Sequence, residues 1–179
     1  TPLAPQSSPP ATVAAFPPTL ATPVAPTATP PAQLDAEILA VVDGAPISVA
    51  QLEEARDIDR AMAQLRNQAP AEPRTLLAQL INGELVVQAM QRAGVQGPAP
   101  GDALAQFLTA TGIPMLTLDD ALQHVTREQF AAYLARLYGV DKFVRQQTTQ
   151  NADTSDAYVR SLQDAAHISY GPAAAAIFT

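Results

Sequence analysis

The sequence predicts a mainly α-helical domain of several short helices, with one short strand pairing between its two ends, preceded by an extended proline-rich leader. Residues 1–34 hold 10 of the 17 prolines and no charged side chain. From residue 38 onward, apolar residues recur at helical spacing between successive capping and breaker residues. Aromatic residues make up only 5% of the chain and there is no Trp, so the 47% of hydrophobic residues are mostly Leu, Ile, Val and Ala. That palette suits packed helices.

The leader comes first. Pro9-Pro10, Pro17-Pro18 and Pro30-Pro31 remove backbone donors and fix φ, which excludes helix and central strand. Interleaved Ala, Thr and Ser leave polyproline II or an irregular extended path, a semi-rigid spacer able to reach up to roughly 100 Å at its known rise. Its apolar beads Leu3, Val13, Phe16, Leu20 and Val24 are the expected partner-binding residues, set to lie in shallow grooves of another protein. Thr1 stands where a Met would open a nascent chain, and no basic and apolar leader precedes it, so a mature or trimmed product is expected. A start rich in Pro and small residues resembles the segment just after the lipidated Cys of bacterial lipoproteins, and that resemblance implies a lipid anchor upstream.

The domain is expected over residues 35–172. Ile38 to Val42 is a short β-branched run closed by Asp43-Gly44, with Pro46 beyond, hence a strand and a turn. Ser48 and Gln51, three residues apart, form a capping box opening a helix from about Val49 to Arg66, stopped by Pro70 and Pro73. A second helix, about Arg74 to Arg92, carries Leu76, Leu77, Leu80, Ile81, Leu85, Val86, Ala89 and Met90 on one wide face, and Gly94 is placed to end it in a left-handed cap. Asp102 is expected to cap a short helix running to about Thr111, ended by Gly112 and Pro114. Thr117, Asp119 and Asp120 predict the start of another, with both carboxylates near its positive end. Thr126 with Gln129 repeats the capping box before a helix bearing Phe130, Tyr133, Leu134, Leu137, Tyr138, Phe143 and Val144, with Gly139 a point of loosening. Ser155 is the expected cap of a last helix. His167 to Tyr170 alternates before Gly171-Pro172 and reads as a strand pairing with 38–42, since a lone strand is unstable. Residues 173–179 are expected as a C-terminal tail.

Val42-Asp43-Gly44, then Pro46-Ile47-Ser48 capping a helix with Leu52, resembles the opening of SurA-type periplasmic chaperones. The run Leu76 to Val86 and the stop Ala93-Gly94-Val95 are similar to that family's second helix, and Leu162 to Ile168 resembles its last helix and return strand. The resemblance spans roughly residues 37–170, with its specific part at 41–95. Many members carry a parvulin prolyl-isomerase domain between these halves, and residues 96–125 are too few to hold one. The resemblance therefore implies the helical polypeptide-binding module without the isomerase, an extracytoplasmic (periplasmic or cell-surface) location, and no catalytic residue.

Chemistry-bearing residues are sparse. His124 and His167 are the only histidines and there is no Cys, short of the three or four clustered ligands that zinc requires. No Ser sits in a nucleophile-elbow pattern, and Gly94, Gly97 and Gly101 lack the strand and Lys of a phosphate loop. Glu53-Glu54, Asp57/Asp59 and Asp119-Asp120 are sequence neighbours that point apart on a helix, as solvated faces do. No catalytic, cofactor-binding or metal-ligating residue is assigned, and no cofactor is expected. Net charge of −7, with no Lys/Arg cluster, argues against a nucleic-acid partner. No run of about 18 apolar residues predicts a membrane span. The expected partners are proteins: Leu76, Leu80, Ile81, Leu85, Phe130, Leu134 and Leu137 should mostly form the core, with remaining apolar surface, including Met62, Met90 or Met115, holding a polypeptide. The expected function is a non-catalytic accessory subunit of a larger membrane-associated complex, docked through its leader. The alternative is a SurA-like holdase chaperone that shelters unfolded clients.

Overall fold

A computed structural model of the protein describes residues 37–151 and 154–178. The leader positions Leu3, Val13, Phe16, Leu20 and Val24 lie outside the described residues.

Strand β1 (Ile38–Val42) turns at Asp43-Gly44 into β2 (Ala45–Ser48). Both turn residues take positive φ, 47° and 87°, the backbone of a tight hairpin turn whose twist matches its strands. A third strand, β3 (Ile168–Tyr170), pairs antiparallel on the other side of β1, so the sheet order is β2-β1-β3. The expected pairing of 38–42 with 168–170 is present, but the sheet has three strands where two were expected. Pro46 hid the extra one: it reads as a breaker, yet it sits on an edge strand where a missing donor costs nothing. The Asp43 carboxylate accepts a hydrogen bond from the His167 amide at 2.7 Å, and the His167 carbonyl accepts from the Asp43 amide at 3.0 Å, tying the hairpin turn to β3. As the central strand, β1 buries Leu39, Ala40 and Val42.

Helix α1 (Val49–Arg66) opens with the capping box: the Gln51 amide donates to Ser48 Oγ at 3.2 Å, and the Ser48 amide to Gln51 Oε1 at 2.8 Å. It ends at Asn67 in left-handed conformation (φ 52°), before either proline, with the Gln68 amide reaching back to the Ala63 carbonyl. Pro73 instead starts α2 (Pro73–Arg92), where its fixed φ and missing donor suit the first helical position. Gly94 (φ 67°) ends α2 as expected, with the Val95 amide on the Met90 carbonyl.

Four expectations about the middle and last helices are corrected. Helix α3 (Pro100–Thr111) begins at a proline, and Asp102 lies inside its first turn without capping it. Helix α4 (Met115–Ala121) starts two residues earlier than Thr117 because Pro114 presets the entry; Asp119 and Asp120 therefore fall in its second half, and Asp119 is held by Arg127. Helix α5 (Arg127–Asn151) runs unbroken through Gly139, opened by the Thr126–Gln129 capping box. Gly139 faces a packed neighbour: a Cβ there would lie 3.0 Å from Gly97 Cα. Helix α6 (Ser155–Ala165) is capped by Thr154, whose side chain accepts from the Ala157 amide, and not by Ser155.

The stretch after β3 is more than a tail. Pro172–Ala174 forms a 3-10 turn and Ala175–Phe178 a last short helix, α7. Gly171 lets this segment press on β1: its amide donates to the Leu39 carbonyl at 2.9 Å, and a Cβ there would run into the Ile38 carbonyl.

Three apolar clusters hold the domain. One joins Ile58, Ala61 and Met62 of α1 to Phe107 of α3, Leu118 of α4, and Phe130 and Leu134 of α5. A second packs the sheet residues Leu39, Val42 and Ile47 on Leu52, Leu76, Leu77, Ile81 and Leu85, with Ala173 and Ile177 at its margin. In the third, Val86 and Met90 of α2 meet Phe143 and Val144 of α5, flanked by Tyr158 and Val159 of α6.

Candidate functional site

Cluster residues and the side chains around them line two apolar clefts. The central one, ≈ 660 Å³, is bounded by α1, α2 and α5, with Val159 of α6 at one end. Its bottom draws on all three clusters at once: Ile58 and Met62 from the first, Leu76 from the second, Val86 and Val144 from the third. Helix periodicity produces the rest of the lining, since Ala132, Tyr133, Arg136, Leu137 and Val140 recur at three- and four-residue steps along α5. Leu80 is half-buried and Leu137 is 39% exposed, so these two residues expected in the core are apolar wall of the cleft. Leu76, Ile81, Leu85, Phe130 and Leu134 are buried as expected.

Polar groups around the cleft are mostly committed to the protein's own structure. Gln51 and Gln129 serve the two capping boxes, and Asn82 Oδ1 accepts from Gln163 Nε2 at 2.6 Å. Asp59 Oδ2 accepts the Ala71 amide at 2.6 Å, fixing the α1–α2 connection. Arg136 is paired with Glu84 at 2.9 Å. Glu54 and Arg66 also line the cleft, and among the described residues neither forms an ion pair or a side-chain hydrogen bond. Burial pushes the Tyr133 phenol above its ordinary pKa; the Asp59 carboxylate adds to the rise and Arg66 opposes it. Its hydroxyl stays protonated across the physiological range and can donate a hydrogen bond.

The second cleft, ≈ 710 Å³, lies between Leu39, Val49, Leu52 and Leu76 and the C-terminal residues Ala173, Ala176, Ile177 and Phe178. Phe178 is held edge-on to Tyr170 with centroids 5.5 Å apart, and the Arg74 guanidinium sits 5.6 Å from its ring centre. Sequence inspection missed this feature because a run of four alanines before Ile177 carries no strong pattern.

The acid pairs separate as expected for helix neighbours. Glu53 lines the C-terminal cleft and Glu54 the central one; Asp57 pairs with Arg60 at 2.6 Å while Asp59 holds Ala71. Both histidine side chains are exposed. Of the three methionines, Met62 reaches the central cleft, Met90 lies in the third cluster, and Met115 sits beside Leu116, 74% exposed, at the start of α4. Among the described residues no group of three His, Cys, Asp or Glu side chains is arranged to hold a metal ion, and no helix is long and apolar enough to cross a membrane. Compared with protein-family models, curated proteins and solved structures, the chain matches none.

Proposed function

We propose that this protein is a non-catalytic, extracytoplasmic protein-binding module, an accessory subunit of a larger membrane-associated assembly that docks through its leader and offers the central cleft to a polypeptide segment. The observation that carries it is the cleft itself: apolar at its bottom, walled by three helices, and exposing Leu80, Leu137 and Val140 where a free-standing core would have covered them. Covering such surface removes apolar area from water, which stabilises a complex by roughly 25 cal/mol per Å² before the costs of association are subtracted. The location and the polypeptide partner rest on the likeness of residues 41–95 to the SurA-type opening. That likeness also supports a second reading, a holdase chaperone lacking isomerase activity.

Purification from solubilised native membranes separates the two. Stoichiometric co-migration with membrane proteins, weakened in a Leu137→Glu variant, is the outcome expected of the subunit. A free monomer that suppresses aggregation of unrelated unfolded proteins supports the chaperone. A free monomer with neither property refutes both.

A further inference from the structure

Resting on the protein-binding reading, we propose that the central cleft takes an amphipathic α-helix of a partner protein, about three turns long, with an acidic side chain toward Arg66 and a basic one toward Glu54. Two features of the cleft lead there.

The first is what the cleft leaves unpaired. An extended peptide brings a row of amides and carbonyls that need partners, and a buried unpaired one is costly. No strand edge lines the cleft, and the side-chain oxygens of Gln51, Asn82 and Gln129 are already engaged within the chain; the scattered groups that are left, such as Gln79 and the Tyr133 hydroxyl, do not form the regular row an extended backbone needs. A helix satisfies its own backbone and needs only an apolar face, which Ile58, Met62, Leu80, Leu137 and Val140 are placed to receive.

The second is charge. Asp59 is committed to the Ala71 amide and Arg136 to Glu84, so Glu54 and Arg66 are the charged side chains of the lining with neither an ion pair nor a side-chain hydrogen bond among the described residues. They are twelve positions apart on α1, about 18 Å at helical rise. An occupant helix of matching length presents opposite charges at its two ends, one for each. The cleft is thus polarised along α1, and its complement is a helix carrying both signs.

The test uses the full chain and fluorescein-labelled synthetic helices with one leucine ridge and three end patterns: Glu and Lys twelve residues apart, Glu at both ends, or Lys at both ends. Fluorescence anisotropy should show the mixed peptide binding tightest, each mismatched end weakening it about 2- to 5-fold, as exposed ion pairs do. Arg66→Glu should shift the preference to the double-Lys peptide, and Glu54→Lys to the double-Glu peptide. Leu137→Glu, at an exposed position, should abolish binding of all three while the circular dichroism spectrum is unchanged. A central-proline peptide of otherwise equal composition should bind at least about tenfold more weakly, because it cannot keep the helix. Equal binding of the proline peptide, or charge variants that leave the ranking unchanged, overturns the helical, polarised occupant. Absence of binding by every helical peptide overturns it too. None of these results touches the co-migration of the native protein, which tests the protein-binding reading by itself.

Discussion

Two glycines sit in the middle of long helices, and their replacement by alanine should move stability in opposite directions. Alanine is favoured over glycine in a helix interior by about 1 kcal/mol, because glycine loses more backbone freedom on folding. At Gly83 in α2 an added Cβ meets only Arg136 Nη2, at 3.8 Å, an ordinary contact. Gly83→Ala should therefore stabilise the domain by about 0.5–1 kcal/mol, roughly 2–5 °C in Tm for a domain of this size. At Gly139 in α5 the same methyl meets Gly97 Cα at 3.0 Å and Met90 Cε at 3.1 Å. Met90 can swing its terminal methyl aside. Gly97 is backbone, pinned between the Val95 amide bond to Met90 and the start of α3 at Pro100. Overpacking of this kind costs about 1–3 kcal/mol, which meets or exceeds the helical gain, so Gly139→Ala should be neutral to destabilising by up to about 2 kcal/mol. Urea unfolding monitored by circular dichroism reads both variants. Equal stabilisation by the two would refute the close approach of the 97 loop to α5. Destabilisation by Gly83→Ala would mean that Gly83, part of the central cleft's lining, is crowded where the structure shows only the Arg136 guanidinium in ordinary contact.

Other substitutions probe other parts of the fold. Phe130 is fully buried and meets Phe107 edge-on at 5.5 Å, so Phe130→Ala should cost about 3–5 kcal/mol, measured by the same unfolding curves. Gly171→Ala should unseat residues 172–178 through the clash with the Ile38 carbonyl, seen as faster exchange of the position-171 amide that donates to the Leu39 carbonyl and as release of the Tyr170–Phe178 contact; protection unchanged from wild type would count against the seating of this segment on β1. Arg127 donates two hydrogen bonds to the Asp119 carboxylate and holds its pKa below the usual value. By linkage, a depressed folded-state pKa gives stabilisation that is present above the unfolded carboxylate pKa and is lost as pH falls through the lower folded one. Carboxyl NMR titration should place the Asp119 midpoint below the ordinary carboxylate value, and Arg127→Ala should raise it toward that value.

Much of the fold was legible because its signals are local. Capping boxes at Ser48/Gln51 and Thr126/Gln129, the left-handed stop at Gly94 and the apolar face of α2 all act within a few residues, and all are found in place. The shifted starts of α3, α4 and α6 are local, but three other misreadings share a cause: a residue whose role is set by something more distant in sequence. Pro46 suits a strand only because β2 is an edge. Gly139 resembles a weak point until Gly97 is brought against it. Asp119 looks like a partner for a helix dipole and is instead a partner for Arg127. The central cleft was legible only as a surplus of apolar positions; that Leu80 and Leu137 were the surplus depended on how three helices cross.

The placement of that cleft has a mechanical consequence. Each apolar cluster is built from different helix halves, and α2 crosses from the second cluster to the third while α5 crosses from the first to the third. Each cluster leaves a few side chains at the seam: Ile58 and Met62, Leu76, and Val86 with Val144. A helix laid there adds contacts to all three clusters together, so it should stabilise them as one unit rather than one at a time. Hydrogen exchange is the measurement that sees this, because it reads opening free energies region by region. Under the proposed occupancy, saturating mixed-charge peptide slows exchange in α1, the stretch of α2 from Leu76 to Val86 and the middle of α5 by a common factor. Slowing confined to one of these helices would place the peptide elsewhere on the surface.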